Sequence, residues 1–190
     1  MPQLLEDITR FVKPFYEKKD IMHDFSHIQR IKHTLKNLAK NAKLNFNLEL
    51  TEIALYFHGI IYSHEELIRS YLIEKKLTVN EIERIIKIAW ESQKDSKPST
   101  NEGLILHDAH MLEGGRNFEI IKSLITGSVR GQSLEETMIY IENNLLEKGA
   151  CYTDEGIRQY EVMKKRTKEI YEELNIGLGR IKHRLQHSTK

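Results

Sequence analysis

Apolar residues spaced for one face of a helix run through almost the whole chain, and little interrupts them. In "DFSHIQRIKHTLKNLAKNA", Phe25, Ile28, Ile31, Leu35, Leu38, Ala39 and Ala42 recur at helical spacing. "VNEIERIIKIAW" repeats the pattern with Ile82, Ile85, Ile86 and Ala89. Only three prolines and ten glycines punctuate 190 residues, so few points can end a helix. Starts are marked by Ser63 with Glu66, Thr78 with Glu81, Ser99 with Glu102 and Ser133 with Glu136, each fitting the S/T-x-x-E capping box. The "SKPST" stretch around Pro98 and the Gly114-Gly115 pair read as breaks. No alternation of apolar and polar residues is long enough to predict a strand. The expectation is an all-α chain: a single helical bundle of about eight or nine helices over residues 1–178. The basic, weakly periodic tail over 179–190 is expected to fray.

Composition narrows the class of protein. The chain is 39% hydrophobic and 30% charged, which describes a charged globular protein able to bury a substantial core. A formal net charge of +1 supplies no global field for obligate binding to nucleic acid or an anionic membrane. No apolar run approaches the roughly 20 residues that span a bilayer, and "MPQLLEDITRF" has no secretory pattern. A lone cysteine, Cys151, permits no internal disulfide. A cytoplasmic location is the expectation.

Nine histidines are many for this length, and they concentrate where carboxylates do. "MHDFSHIQR" holds His23, Asp24 and His27. "YFHGIIYSHEE" holds His58, His64, Glu65 and Glu66, and "LHDAHMLEGG" holds His107, Asp108, His110 and Glu113. Imidazoles with carboxylates suit Mn, Fe, Ni or Zn. At about 100° per residue, His27 lies at the edge of its apolar stripe, and His58 shares an inner face with Ala54 and Ile61. Asp108 sits among apolar neighbours, so an inward orientation buries a carboxylate that must be paired or metal-bound. Each residue also has a plain alternative. A lone inward histidine is commonly a hydrogen-bonded core residue, and Asp108 alone suits a helix cap or a lysine partner. His23, His64 and His110 are expected to face solvent.

Together the three segments resemble the HD-domain phosphohydrolase superfamily, whose metal site follows the order His, His-Asp, Asp. "HDFSHIQRI" is similar to the opening motif, "ALYFHGIIYSHEE" to the central helix end, and "ILHDAHMLEGG" to the closing segment. "CYTDEGIRQYEVMKKRTKEIYEEL" is similar to the C-terminal helix of small members. The resemblance implies an all-α fold and a divalent metal held by His27, His58 and Asp108. It also implies hydrolysis of a small phosphorylated substrate such as a nucleotide. Metal lowers the pKa of bound water and neutralises phosphoryl charge.

The chain departs from that pattern at three places. Gly59 follows His58 where an acid is expected, His110 replaces a second aspartate, and Glu91 stands where many members carry a histidine. Glu65 is the nearest replacement for the missing acid and is assigned the catalytic role. Gly59 itself also suits a positive φ at a helix end. Arg30, three residues after His27, and Arg130, in a Gly-bordered loop, are the candidate phosphate contacts, although a plain surface loop also accounts for Arg130. A catalytically reduced member that binds metal or nucleotide is the alternative to the enzyme. An Fe-dependent oxygenase on the same helices is a third reading.

Overall fold

The computed structural model describes residues 2–146 and 148–180; the expected tail from 181 onward lies outside them. Nine α-helices and no strand occur among the described residues. In chain order they are α1 (Pro2–Tyr16), α2 (Phe25–Asn41), α3 (Leu48–Phe57), α4 (Ile61–Glu74), α5 (Val79–Glu91), α6 (Asn101–Met111), α7 (Phe118–Val129), α8 (Leu134–Ile141) and α9 (Asp154–Gly177). A single π-helical turn, Glu142–Leu146, follows α8. No helix among the described residues is long and apolar enough to cross a membrane.

The caps explain several of these limits. Thr78 with Glu81 and Ser133 with Glu136 form complete capping boxes at the starts of α5 and α8. The other two expected boxes do not form. Helix α6 takes Thr100 as its N-cap, the Thr100 hydroxyl accepting from Gly103 N at 3.0 Å, and Ser99 lies one residue outside and donates to Glu91. Ser63 lies inside α4, where its hydroxyl meets His64 Nδ1 and the backbone kinks at His64. The Gly114-Gly115 break is real: both residues turn at positive φ, +71° and +75°, between α6 and α7.

Two hydrophobic clusters result. The larger joins α1 to α6, with Ile31, Leu35, Ala54, Phe57, Ile61, Ile85 and Leu106 sealed from solvent. Helix α1 is fastened onto α4 by the Phe11 ring stacked on Tyr71 at 3.9 Å. The smaller cluster gathers Ile120, Met138, Ile141, Leu145 and Tyr171 from α7, α8, the π turn and α9. Helices α2, α3 and α6 pack on one another within the larger cluster, bringing three separated pieces of sequence together.

A buried carboxylate ties the start of α6 to this core. Glu91, at the end of α5, accepts from Ser99 N (3.0 Å), Ser99 Oγ (2.7 Å), Thr100 N (3.2 Å) and Thr100 Oγ1. Burial raises its pKa, but these donors outweigh it and hold the group below the usual carboxylate value. Its position where a histidine was expected is therefore a cap on α6. Replacing Glu91 with alanine leaves buried donors without partners, so we expect the unfolding free energy from urea titration to fall by about 2–4 kcal/mol.

Candidate metal centre

His27 is the third residue of α2, His58 caps the C-terminus of α3, and His110 is the penultimate residue of α6. Their ligand-capable atoms lie within 4.8 Å of one another. Ring centroids are separated by 5.4 Å for His27–His58, 5.6 Å for His27–His110 and 4.3 Å for His58–His110. Such crowding is stable only if the imidazoles are neutral. Burial pushes His27 down to about 4, against the pull of Glu113, and drives His58 and His110 well below their ordinary value.

Each ring is anchored through Nδ1. His58 Nδ1 meets Ser92 Oγ at 2.7 Å, and that hydroxyl donates onward to Ala89 O at 2.7 Å. A serine that already donates must accept from the imidazole, which places the proton on Nδ1. His110 Nδ1 meets the carbonyl of Ser92 at 3.1 Å. His27 Nδ1 faces Glu113 Oε1 at 2.9 Å, set off the ideal hydrogen-bond direction. In His58 and His110, Nε2 remains as the unprotonated donor, and the Glu113 carboxylate beside His27 Nδ1 favours the same tautomer there. Outer partners of this kind fix tautomer and ring orientation around metal-binding histidines. The donor set therefore fits a divalent metal.

Glu113 is an anchor with its charge already answered. Arg30 Nε approaches Oε1 at 2.6 Å and Lys122 Nζ approaches Oε2 at 2.6 Å. Burial alone raises a carboxyl; here His27 and Lys122 overcome it and Glu113 stays far below the usual range. Arg30 also donates to Ser26 Oγ and, at 2.9 Å, to Met22 O. Its guanidinium is thus committed to positioning Glu113, and it does not line the cavity over the histidines.

Asp108 is not brought to the cluster. Two residues from His110, it projects about 200° away around α6, sealed from solvent on the opposite side. There it accepts from Tyr152 N and Thr153 N, both at 2.8 Å, and from Thr153 Oγ1 at 2.6 Å, binding the start of α9 to α6. Gly156 is required beside it, because a Cβ would run into the carboxylate. The cap alternative open in the sequence is the one the fold adopts, and His110, expected to face solvent, takes the inward place.

Glu65 is also elsewhere. Its carboxylate accepts from Trp90 Nε1 at 2.7 Å and Arg69 Nε at 2.8 Å, and it does not line the cavity over the histidines. Gly59 does not have positive φ. It is a point of close approach: a Cβ would stand 2.8 Å from the Tyr16 ring and 3.2 Å from Lys19 Nζ. An aspartate there cannot be accommodated unless Tyr16, itself sealed in the core, moves.

A cavity of about 550 Å³ opens over the cluster, between the two hydrophobic clusters. One polar stripe of α7, namely Glu119, Lys122, Ser123 and Thr126, continues to Arg130 and forms its far wall. Lys19 and Lys94 add charge, and Trp90 and Tyr140 add aromatic surface. Arg130 thus borders the same cavity as His27 and His58. Burial pushes Glu119 up to about 7, against the opposing charges of Lys94, Lys122 and Lys164. No sequence signal pointed to Lys19, Lys122 or Glu119. The spacing of His110 and Glu113, three residues apart on one helix end, was the available hint.

No family model and no curated protein matches the chain. Two crystal structures of YpgQ from Bacillus subtilis share its all-helical fold. One, in complex with ADP, superposes with a TM-score of 0.70 at 19% identity, covering 90% of this chain and 96% of that one. The other superposes with a TM-score of 0.70 at 17% identity, covering 93% and 97%.

Metal content separates ligand from cap. His110→Ala should lose the metal found by elemental analysis of wild type purified without chelator. Asp108→Ala should keep it while unfolding at lower urea. Glu119 gives a pH signature, since its pKa is raised from 4.5 to about 7. Its stabilisation is complete below the unfolded value and lost as pH rises through the folded one. Urea midpoints should therefore fall less between pH 5 and pH 8 in Glu119→Gln than in wild type.

Proposed function

We propose that the chain is an HD-domain-like, metal-dependent phosphohydrolase acting on a small phosphorylated substrate, with a nucleotide as the first class to test. The observation that carries this reading is three neutral, Nδ1-anchored imidazoles at the floor of a cation-rimmed cavity. Three protein ligands leave a coordination position open, as catalytic sites require and closed structural sites do not. His27, His58 and His110 would hold the ion, and an all-imidazole set favours Zn, Fe or Ni over Mn. When bound, the metal supplies Lewis acidity and a water of lowered pKa.

The remaining groups divide the other tasks. Lys94 and Arg130, which line the cavity, offer charge-assisted hydrogen bonds to phosphate oxygens. Glu119, near half protonation at neutral pH, is able to hold a proton for a departing group within the cavity. Trp90 and Tyr140 offer faces for the organic part of the substrate. The fold of YpgQ, crystallised with ADP, supports trying adenine nucleotides first.

A second reading has its own observation. Glu113 is already neutralised by Arg30 and Lys122, and Gly59 brings no carboxylate beside His58. A site so poor in free acid suits a binding module that retains metal and ligand without turnover. Metal-replete protein should release phosphate or pyrophosphate from at least one member of a panel of nucleotides and phosphomonoesters, and His58→Ala should abolish it. Calorimetric binding of a nucleotide with no turnover under Zn, Fe, Ni or Mn would instead select the binding module.

A further inference from the structure

Lys19 lies just past the end of α1, in the loop that leads to α2, far in sequence from the histidines. Its Nζ nevertheless donates to Gly59 O at 2.6 Å, next to His58, and lines the cavity. The contact depends on the absence of a side chain at Gly59. Tyr16 fills that space: its hydroxyl donates to Tyr56 O at 3.0 Å and accepts from Gly59 N at 3.0 Å. This clasp joins the last residue of α1 to the end of α3. It carries the chain forward so that Lys19, three residues later, crosses the same glycine.

The ammonium there is partly buried and makes no direct ion pair among the described residues, with Asp20 acting on it only through space. The neighbouring Asp20 is occupied by His23 Nδ1 and Met22 N, both at 2.8 Å. The Tyr16 ring, 4.9 Å from Nζ, gives it an aromatic face and no countercharge. Lys122, by contrast, already spends its charge on Glu113. A partly desolvated cation with one hydrogen bond made and two donors left is an unfilled anion contact. Tyr16 is too deeply buried to yield the place to another group.

We infer that Lys19, held by the Tyr16–Gly59 clasp, is a specificity-determining contact for the anionic group of the ligand, donating to its oxygens beside the histidine cluster. The inference rests on the reading that the cavity takes a phosphorylated ligand. It adds that recognition is set by a side chain from the α1–α2 loop. Ligands with more negative charge should depend on it more.

The test titrates inorganic phosphate and pyrophosphate into metal-replete wild type, Lys19→Met and Lys19→Arg by calorimetry, with metal content measured on each sample. Lys19→Met should keep its metal and bind phosphate about ten- to a hundredfold more weakly, with a larger loss for pyrophosphate. Lys19→Arg should recover most of the affinity. Gly59→Ala, whose Cβ crowds Lys19 Nζ against the fixed Tyr16 ring without removing charge, should weaken both ligands while keeping metal. Wild-type binding with an unchanged Lys19→Met overturns the inference and leaves the phosphate reading intact. Binding by neither protein overturns both. A Lys19→Met that loses metal or fails to fold makes the residue structural and overturns the inference alone.

Discussion

Three imidazoles face one another in this interior because burial keeps them neutral, with the second nitrogen hydrogen-bonded in His58 and His110 and set against a carboxylate in His27. Ser92 satisfies two of them, His58 through its hydroxyl and His110 through its carbonyl, and Glu113 faces the third. A charged imidazole at this spacing would meet like charge at low dielectric. Burial prevents that by holding all three pKa values down. The packing of α2, α3 and α6 serves this arrangement, since each helix presents one ring to a common point.

Around that point three buried acid groups are used as structure, while Glu119 and several cations line the cavity. Glu91 caps α6, Asp108 caps α9, and Glu113 is enclosed by His27, Arg30 and Lys122. Helix starts present unpaired N–H groups and a positive dipole end, so a buried carboxylate there is stabilised without a metal. Lys19, Lys94 and Arg130 face the cavity instead. A glycine beside His58 is no simple loss, as Tyr16 and Lys19 occupy the room it leaves.

Part of the centre was legible in the sequence. His27 and His58 stood at identifiable helix ends with apolar neighbours, and both join the cluster. Asp108 was legible as buried but not as bound, because periodicity gives a direction around α6 and not what waits there. His110 was misjudged on the same helix: local polarity suggested solvent, and the cavity wall formed by α7 turned that side inward. Glu65 was chosen by proximity along the chain, which the kink at His64 and the Trp90 contact made irrelevant.

The sequence by itself determined the helical class, its main breaks and the segments from which chemistry would come. Those depend on local energies: turn residues, caps and the 3.6-residue period act over a few positions. Which carboxylates become caps, which histidine completes the cluster, and that Lys19 reaches Gly59 were decided only by tertiary structure. Apart from Glu91, which reaches Ser99 and Thr100 across one loop, each depends on contacts between residues about 30 to 80 apart, where the packing of whole helices sets the distance and the sequence between them carries no record of it.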